Sequence, residues 1–150
     1  MQLTWTASSS IPQDKTITSA HGFCFQHDEL LLVKLQHRGW DFPGGHLEQE
    51  ETPEACVKRE VVEEGYVKGN LRLIGFVTVD HTHNPNWQEN GRYPKIGCQL
   101  FYRMDITERM PFRGLHESED RMFIEPAQID AYYHSWNPVY QAILEEALSN

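Results

Sequence analysis

The chain has 150 residues, 39% of them hydrophobic and 23% charged, the balance of a globular protein with a real core. Its 22 acidic and 13 basic residues leave a net charge of −9, which argues against long nucleic acid, bound chiefly through phosphate neutralisation. Cys24, Cys56 and Cys98 form no CxxC pair, and no apolar run approaches the ~20 residues of a membrane span, so a disulfide framework, a zinc knuckle and a membrane protein are set aside.

The reducing cytoplasm is the compartment expected for such a chain. Residues 1–14, rich in Ser and Thr, read as an N-terminal arm with an edge strand near Leu3 to Thr6. Residues 15–150 read as a single domain. From Lys15 to Gln26, Phe23 and Phe25 alternate with Gly22 and Cys24, which predicts a strand. His27-Asp28-Glu29 then turns the chain into a second, apolar strand from Leu30 to Leu35, and a hairpin is expected. Trp40-Asp41-Phe42-Pro43-Gly44-Gly45 ends in a sharp turn that leaves its backbone open.

The chemistry is concentrated between Gly44 and Val67. Thr52 suits an N-cap, Pro53 the first helical position and Glu54 the first turn. A helix is predicted from Pro53 to Glu64, ended by Gly65 in the left-handed conformation. At about 100° per residue, Glu60, Glu63 and Glu64 fall within an arc of about 100° on one face. Three carboxylates so close repel one another unless a cation lies among them, and Mg²⁺ or Mn²⁺ favours such oxygen ligands. The plainer reading of a charge run is a solvated helix face. Arg59 follows Glu51 by eight positions and is placed to pair with it.

Two period-two strands follow, Leu71 to Val79 and Ile96 to Met104. In the first, Leu71, Leu73, Gly75, Val77 and Val79 are expected on one face. The polar loop between the strands carries His81, His83, Trp87 and Tyr93, and loops of this kind commonly set binding specificity. His81 and His83 lack a third ligand at zinc spacing and read as solvated or substrate-contacting residues. Trp87, Tyr93 and Phe112 are candidates to stack on a nucleobase. A loop from Arg109 to Asp120, a short strand from Met122 to Ile124 and a helical turn from Pro126 to Tyr132 come next. Asn137-Pro138 opens the last helix, with Tyr140, Ile143, Leu144, Ala147 and Leu148 on its apolar stripe. The order of elements predicts an α+β protein, an α/β/α sandwich.

Gly45, five residues, Glu51, seven residues, then Arg59-Glu60-Val61-x-Glu63-Glu64 resembles the Nudix box, the signature of the Nudix (MutT-like) hydrolases. At residue frequencies of roughly 5–8%, seven such positions coincide by chance on the order of once in 10⁸ registers. Trp40-x-Phe42-Pro43-Gly44-Gly45 resembles the segment that introduces the box. One departure stands out: Tyr66 occupies the place where the family carries a glycine, so a reshaped helix exit is expected.

The resemblance implies the Nudix fold, a mixed β-sheet between helices. It also implies Mg²⁺- or Mn²⁺-dependent cleavage of a diphosphate linkage in a nucleoside diphosphate derivative: a nucleoside triphosphate, a nucleotide sugar or a dinucleoside polyphosphate. In that scheme Glu60, Glu63 and Glu64 bind metal with the Gly44 carbonyl, Glu60 takes the proton, and Glu51 and Arg59 brace the site. Glu117 or Glu119 is the candidate for a further carboxylate, and His46 and His116 are placed to meet phosphate. The partner expected is a small nucleotide, with a homodimer as an option and no membrane. The alternative is a Nudix module that senses a nucleotide or binds a protein without turnover.

Overall fold

The computed structural model describes residues 1–149. Eight strands build one mixed sheet: β1 (Gln2–Ala7), β2 (Thr16–Gln26), β3 (Glu29–Leu35), β4 (Gly39–Asp41), β5 (Gly44–His46), β6 (Val67–Asp80), β7 (Ile96–Arg109) and β8 (Ser118–Ile124). Their order is β1-β6-β7-β2-β3-β4, with β5 also on β2 and β8 on β3. Only β2 and β7 run parallel; every other pair is antiparallel. Helix α1 (Pro53–Glu60) covers one face and α2 (Pro138–Leu148) the other, which makes the α/β/α sandwich.

Side-chain alternation assigns the two cores. On β7, Cys98, Leu100, Tyr102 and Met104 pack towards Cys56, Val57 and Val61, while Phe101 packs towards Ile143, Leu144 and Ala147. On β3, Leu31, Val33 and Leu35 take the first side, and Leu30 and Leu32 the second. Such a run is apolar throughout because both faces are covered.

Strand β6 departs from the expected single face. Leu71 and Leu73 pack with the α1 core, but Val77 and Val79 pack with the α2 core. A β-bulge causes the switch: the register slips between Leu73 and Gly75, two residues of β6 opposing one of β7. Gly75 has φ +157°, and a Cβ there would run into the Thr6 carbonyl and the Trp5 ring.

The arm is also more ordered than its composition suggests. Residues 2–7 pair in continuous antiparallel register with Asp80 back to Gly75, and β1 forms the sheet edge. The β2–β3 hairpin turns on His27 and Asp28, both at positive φ (51° and 65°), as a tight two-residue turn requires. Beyond Phe25↔Leu30 the two strands part, and β5 takes over pairing with Ser19–His21 of β2. That divergence brings Gly44–His46 beside α1. Leu148, expected on the apolar stripe of α2, is 47% exposed at the helix end.

Both helices start on designed-looking caps. The Thr52 hydroxyl accepts from the Ala55 N–H at 3.1 Å, and the Asn137 side chain accepts from the Tyr140 N–H at 3.0 Å. Replacement Thr52→Ala is expected to destabilise the protein by about 1 kcal/mol, the usual worth of an N-cap, read from the urea midpoint at constant m-value.

Candidate active site

The helix that carries the glutamates is shorter than its sequence predicts. Regular α geometry ends at Glu60, and Val61–Gly65 form a π-turn. The Tyr66 N–H reaches both the Val61 and the Val62 carbonyls, and Tyr66, not Gly65, takes the left-handed conformation (φ 56°, ψ 44°). The wider turn delays the cap by one residue, so the break falls at the family's glycine place with a tyrosine in it.

The same turn separates the three carboxylates. Glu64 is 2% exposed and points inward, where its Oε1 accepts from the Gly44 N–H at 2.9 Å. Glu60 accepts from Arg59 Nη1 at 2.8 Å, and Glu63, more exposed, lies 3.5 Å from the same nitrogen. Arg59 also forms a two-pronged pair with Glu51, Nε to Oε2 at 2.8 Å and Nη2 to Oε1 at 2.9 Å. Glu51 reaches back to accept from the Glu48 N–H, which ties the loop before α1 to the helix.

The double glycine has a steric reason. A Cβ on Gly44 would collide with the His21 ring, and one on Gly45 would lie 2.7 Å from a Glu60 carboxylate oxygen. Gly44 sits opposite His21 in the β2–β5 register, and its N–H turns away to Glu64. In an extended strand the N–H and C=O of one residue leave on the same side, so the Gly44 carbonyl leaves β5 on the side of Glu64.

Electrostatics records how crowded this corner is. Burial raises the Glu64 carboxyl to about 8, with the charges of Glu60 and Glu117 adding to the effect. Burial also raises Glu60, with Arg59 opposing and Glu63 and Glu117 reinforcing. Glu51 goes the other way: the Arg59 hydrogen bonds hold it down at about 2. Among the described residues no three His, Cys, Asp or Glu side chains converge at metal-ligand distance. Arg59 supplies the counter-charge instead. The donor set is nevertheless hard oxygen around an inward-facing carboxylate beset by like charges, which suits Mg²⁺ or Mn²⁺.

On the far side of Gly44 and Gly45 opens a cleft of about 390 Å³. His46, His81 and Tyr93 line it, with Tyr93 5.8 Å from His46 and 6.4 Å from His81 between ring centres. Several further lining residues carry no motif in the sequence. His21 and Gln99 lie on β2 and β7, Arg38 precedes β4 and Asp41 ends it, and Tyr140 comes from α2. Strand pairing and the packing of α2 on the sheet bring them together. His21 is pushed down to about 4, first by burial and then by His46 and Arg38, so it is neutral near pH 7; its Nε2 lies 2.8 Å from the Ser19 hydroxyl.

The other sequence candidates scatter. Trp87 does not line the cleft: its indole N–H donates to the Tyr93 carbonyl at 2.9 Å, and Lys95 lies over its ring. His83 is exposed and outside the cleft, while His81 pairs with Asn84. Phe112 packs edge-on against Tyr66, away from the cleft. Glu117 is exposed just before β8, and its charge is felt by Glu60 and Glu64. Glu119 falls in the bulge between Ser118 and Asp120 and is not among the charges acting on them. His116 is exposed on the same loop as Glu117.

Comparison with known proteins agrees with this architecture. The NUDIX domain model matches residues 16–146, and the chain belongs to that family. It is 46% identical over 67 residues to human and mouse diphosphoinositol polyphosphate phosphohydrolase 2, a match covering 40% of this chain and 37% of those proteins. The match thus spans well under half the length of these curated relatives. Among solved structures, a pyrophosphohydrolase of Bacillus subtilis superposes with TM-score 0.72 at 19% identity, over 97% of this chain and 90% of that one. The NUDIX domain of Shewanella oneidensis NrtR, bound to ADP ribose, gives 0.61 at 15% identity, over 88% of this chain and 86% of the other. At these identities the superpositions speak for the fold.

A pH dependence of stability follows from Glu64. Its carboxyl is raised above the ordinary 4.5, so its contribution is fully present below pH 4.5 and lost as pH rises through about 8. In EDTA, Glu64→Gln should therefore flatten the fall in stability between pH 5 and 8. At pH 8 it should raise Tm by on the order of 5 °C relative to the parent, measured by calorimetry.

Proposed function

We propose that this chain is a Mg²⁺- or Mn²⁺-dependent pyrophosphohydrolase that cleaves a diphosphate linkage in a nucleoside diphosphate derivative by attack of water at phosphorus. The observation that carries the reading is geometric: Glu64 accepts from the Gly44 N–H at 2.9 Å and Glu60 lies against Gly45, on the strand that also walls the cleft. Glu60, Glu63, Glu64, the Gly44 carbonyl and Glu117 are the residues that would hold the cation. When bound, it neutralises the diphosphate and lowers the pKa of water beside it.

The chain's own groups supply the remaining functions. Glu60, whose burial already favours the protonated form, is placed to accept a proton from water. Arg59 and Glu51 fix the orientation of Glu60 and of the loop before α1. Arg38 at the cleft is placed to meet phosphate oxygens, and Tyr93 with His81 and His46 offers a base a surface to stack on.

The names of the sequence relatives favour a second substrate, a diphosphorylated inositol polyphosphate. The charge of the cleft disfavours it here. Among its described lining residues Arg38 is the only Lys or Arg, and His21 is neutral. A ring bearing many phosphates needs several cations, whereas a nucleotide needs one or two and a flat apolar surface.

Product analysis by anion-exchange chromatography across a panel of nucleoside triphosphates, nucleotide sugars, dinucleoside polyphosphates and a diphosphoinositol phosphate, with Mg²⁺ or Mn²⁺, decides between them. Turnover is expected on a nucleotide and abolished by EDTA. Tight nucleotide binding with no turnover of any compound would favour the sensing module instead. Glu60→Gln and Glu64→Gln should each lower kcat by roughly 10²–10⁴ with the fold intact by circular dichroism, and unchanged rates in both would refute the assignment.

A further inference from the structure

Tyr66 is a buried aromatic residue in left-handed backbone, a conformation that costs an ordinary residue roughly 1–2 kcal/mol. A glycine would escape that cost and keep both backbone contacts of its carbonyl, from the Met110 N–H at 2.9 Å and Arg121 Nη1 at 3.2 Å. The side chain is therefore expected to offset the strain, and its hydrogen bond and its aromatic contact both fall on one segment. The phenol oxygen accepts from the Leu115 N–H at 2.9 Å, and the ring meets Phe112 edge-on with centres 5.1 Å apart. Leu115 itself is 70% exposed, so nothing else packs its side chain down.

Two residues further on stands Glu117. Its carbonyl accepts from the Gln36 N–H at 3.2 Å, and the next residue, Ser118, donates its hydroxyl to the Glu64 carbonyl at 2.8 Å. The stretch from Met110 to Ser118 is thus fastened at both ends to the π-turn, with the Tyr66 side chain gripping its middle.

We propose that Tyr66 is a positioning residue: its ring and hydroxyl hold the Phe112–Leu115 segment so that Glu117 stands opposite Glu60 and Glu64. The helix exit gives up an unstrained glycine cap and gains a fixed fourth carboxylate. The inference rests on the metal-dependent reading of the same site.

The test uses the full chain, with Mn²⁺ alone as probe, followed by calorimetry and by hydrogen exchange at Leu115 to Glu117. Tyr66→Phe keeps the ring, the burial and the backbone shape but removes the acceptor. It should raise exchange at the Leu115 amide at least tenfold and weaken Mn²⁺ binding about three- to tenfold, as Glu117→Gln does. The double variant should bind Mn²⁺ no worse than Glu117→Gln alone, because both changes remove one contribution. Tyr66→Gly, which relieves the strain, should show the same loss of Mn²⁺ affinity. Wild-type affinity in Tyr66→Phe, or losses that add in the double variant, would overturn the positioning role while leaving the helix carboxylates as ligands. A parent protein that binds no Mn²⁺, or binds it equally well as Glu60→Gln, would instead bring down the metal reading itself.

Discussion

The structure around the site depends on one guanidinium. Arg59 faces Glu51, Glu60, Glu63 and, at 3.6 Å, Glu48, and it also donates to the His46 carbonyl. Without it the acidic stretch that the box requires could not pack against β5. The planar five-donor fork of arginine satisfies several carboxylates at once, which a lysine ammonium on a flexible stem does less well. Because the pair with Glu51 is only partly exposed, it is less screened than a surface bridge. Glu64 lies beyond reach of this fork, and among the described residues its inward carboxylate accepts from the Gly44 N–H alone. The corner therefore folds with a buried carboxylate that Arg59 does not pair, the feature on which the proposed cation site rests.

Much of this was legible in the residues. The spacing from Gly45 to Glu64 identifies the family, the alternation of Ile96 to Met104 separates the two faces of β7, and the unbroken apolar run of Leu30 to Leu35 matches a β3 covered on both faces. The Thr52 cap and the Asn137 cap are likewise written in single residues. The extent of α1 was not legible. Nothing in Val61-Val62-Glu63-Glu64 breaks a helix, and the π-turn lies where Val61, Glu64 and Gly65 are buried in the tertiary fold. For the same reason the arc drawn for the three glutamates splays: Glu64 turns inward and Glu63 outward.

The cleft was the least legible part. Tyr93, His46 and His81 signal themselves as polar and aromatic residues in loops, but Asp41, His21 and Gln99 sit in ordinary strand positions. Their convergence is a product of the long-range pairing of β2 with β5 and β7. One local hint was available. Gly44 and Gly45 imply that something large lies close on each side, and the structure shows His21 on one and Glu60 on the other. Phe112 and Trp87, the other aromatic candidates, lie outside the cleft, where Phe112 packs on Tyr66 and the Trp87 indole donates to the Tyr93 carbonyl.

The extra residue before Gly75, Ile74, lets one strand serve both layers. Before it, β6 gives its odd-numbered side chains to α1; after it, the odd-numbered ones go to α2. The strand therefore behaves as a two-phase ruler whose zero is reset midway. Losing or gaining a single residue on either side would turn half of it inside out, whereas changes in steps of two would keep the phase. Length variation in this segment among functional descendants should accordingly be even-numbered, or come with a matching shift of the glycine.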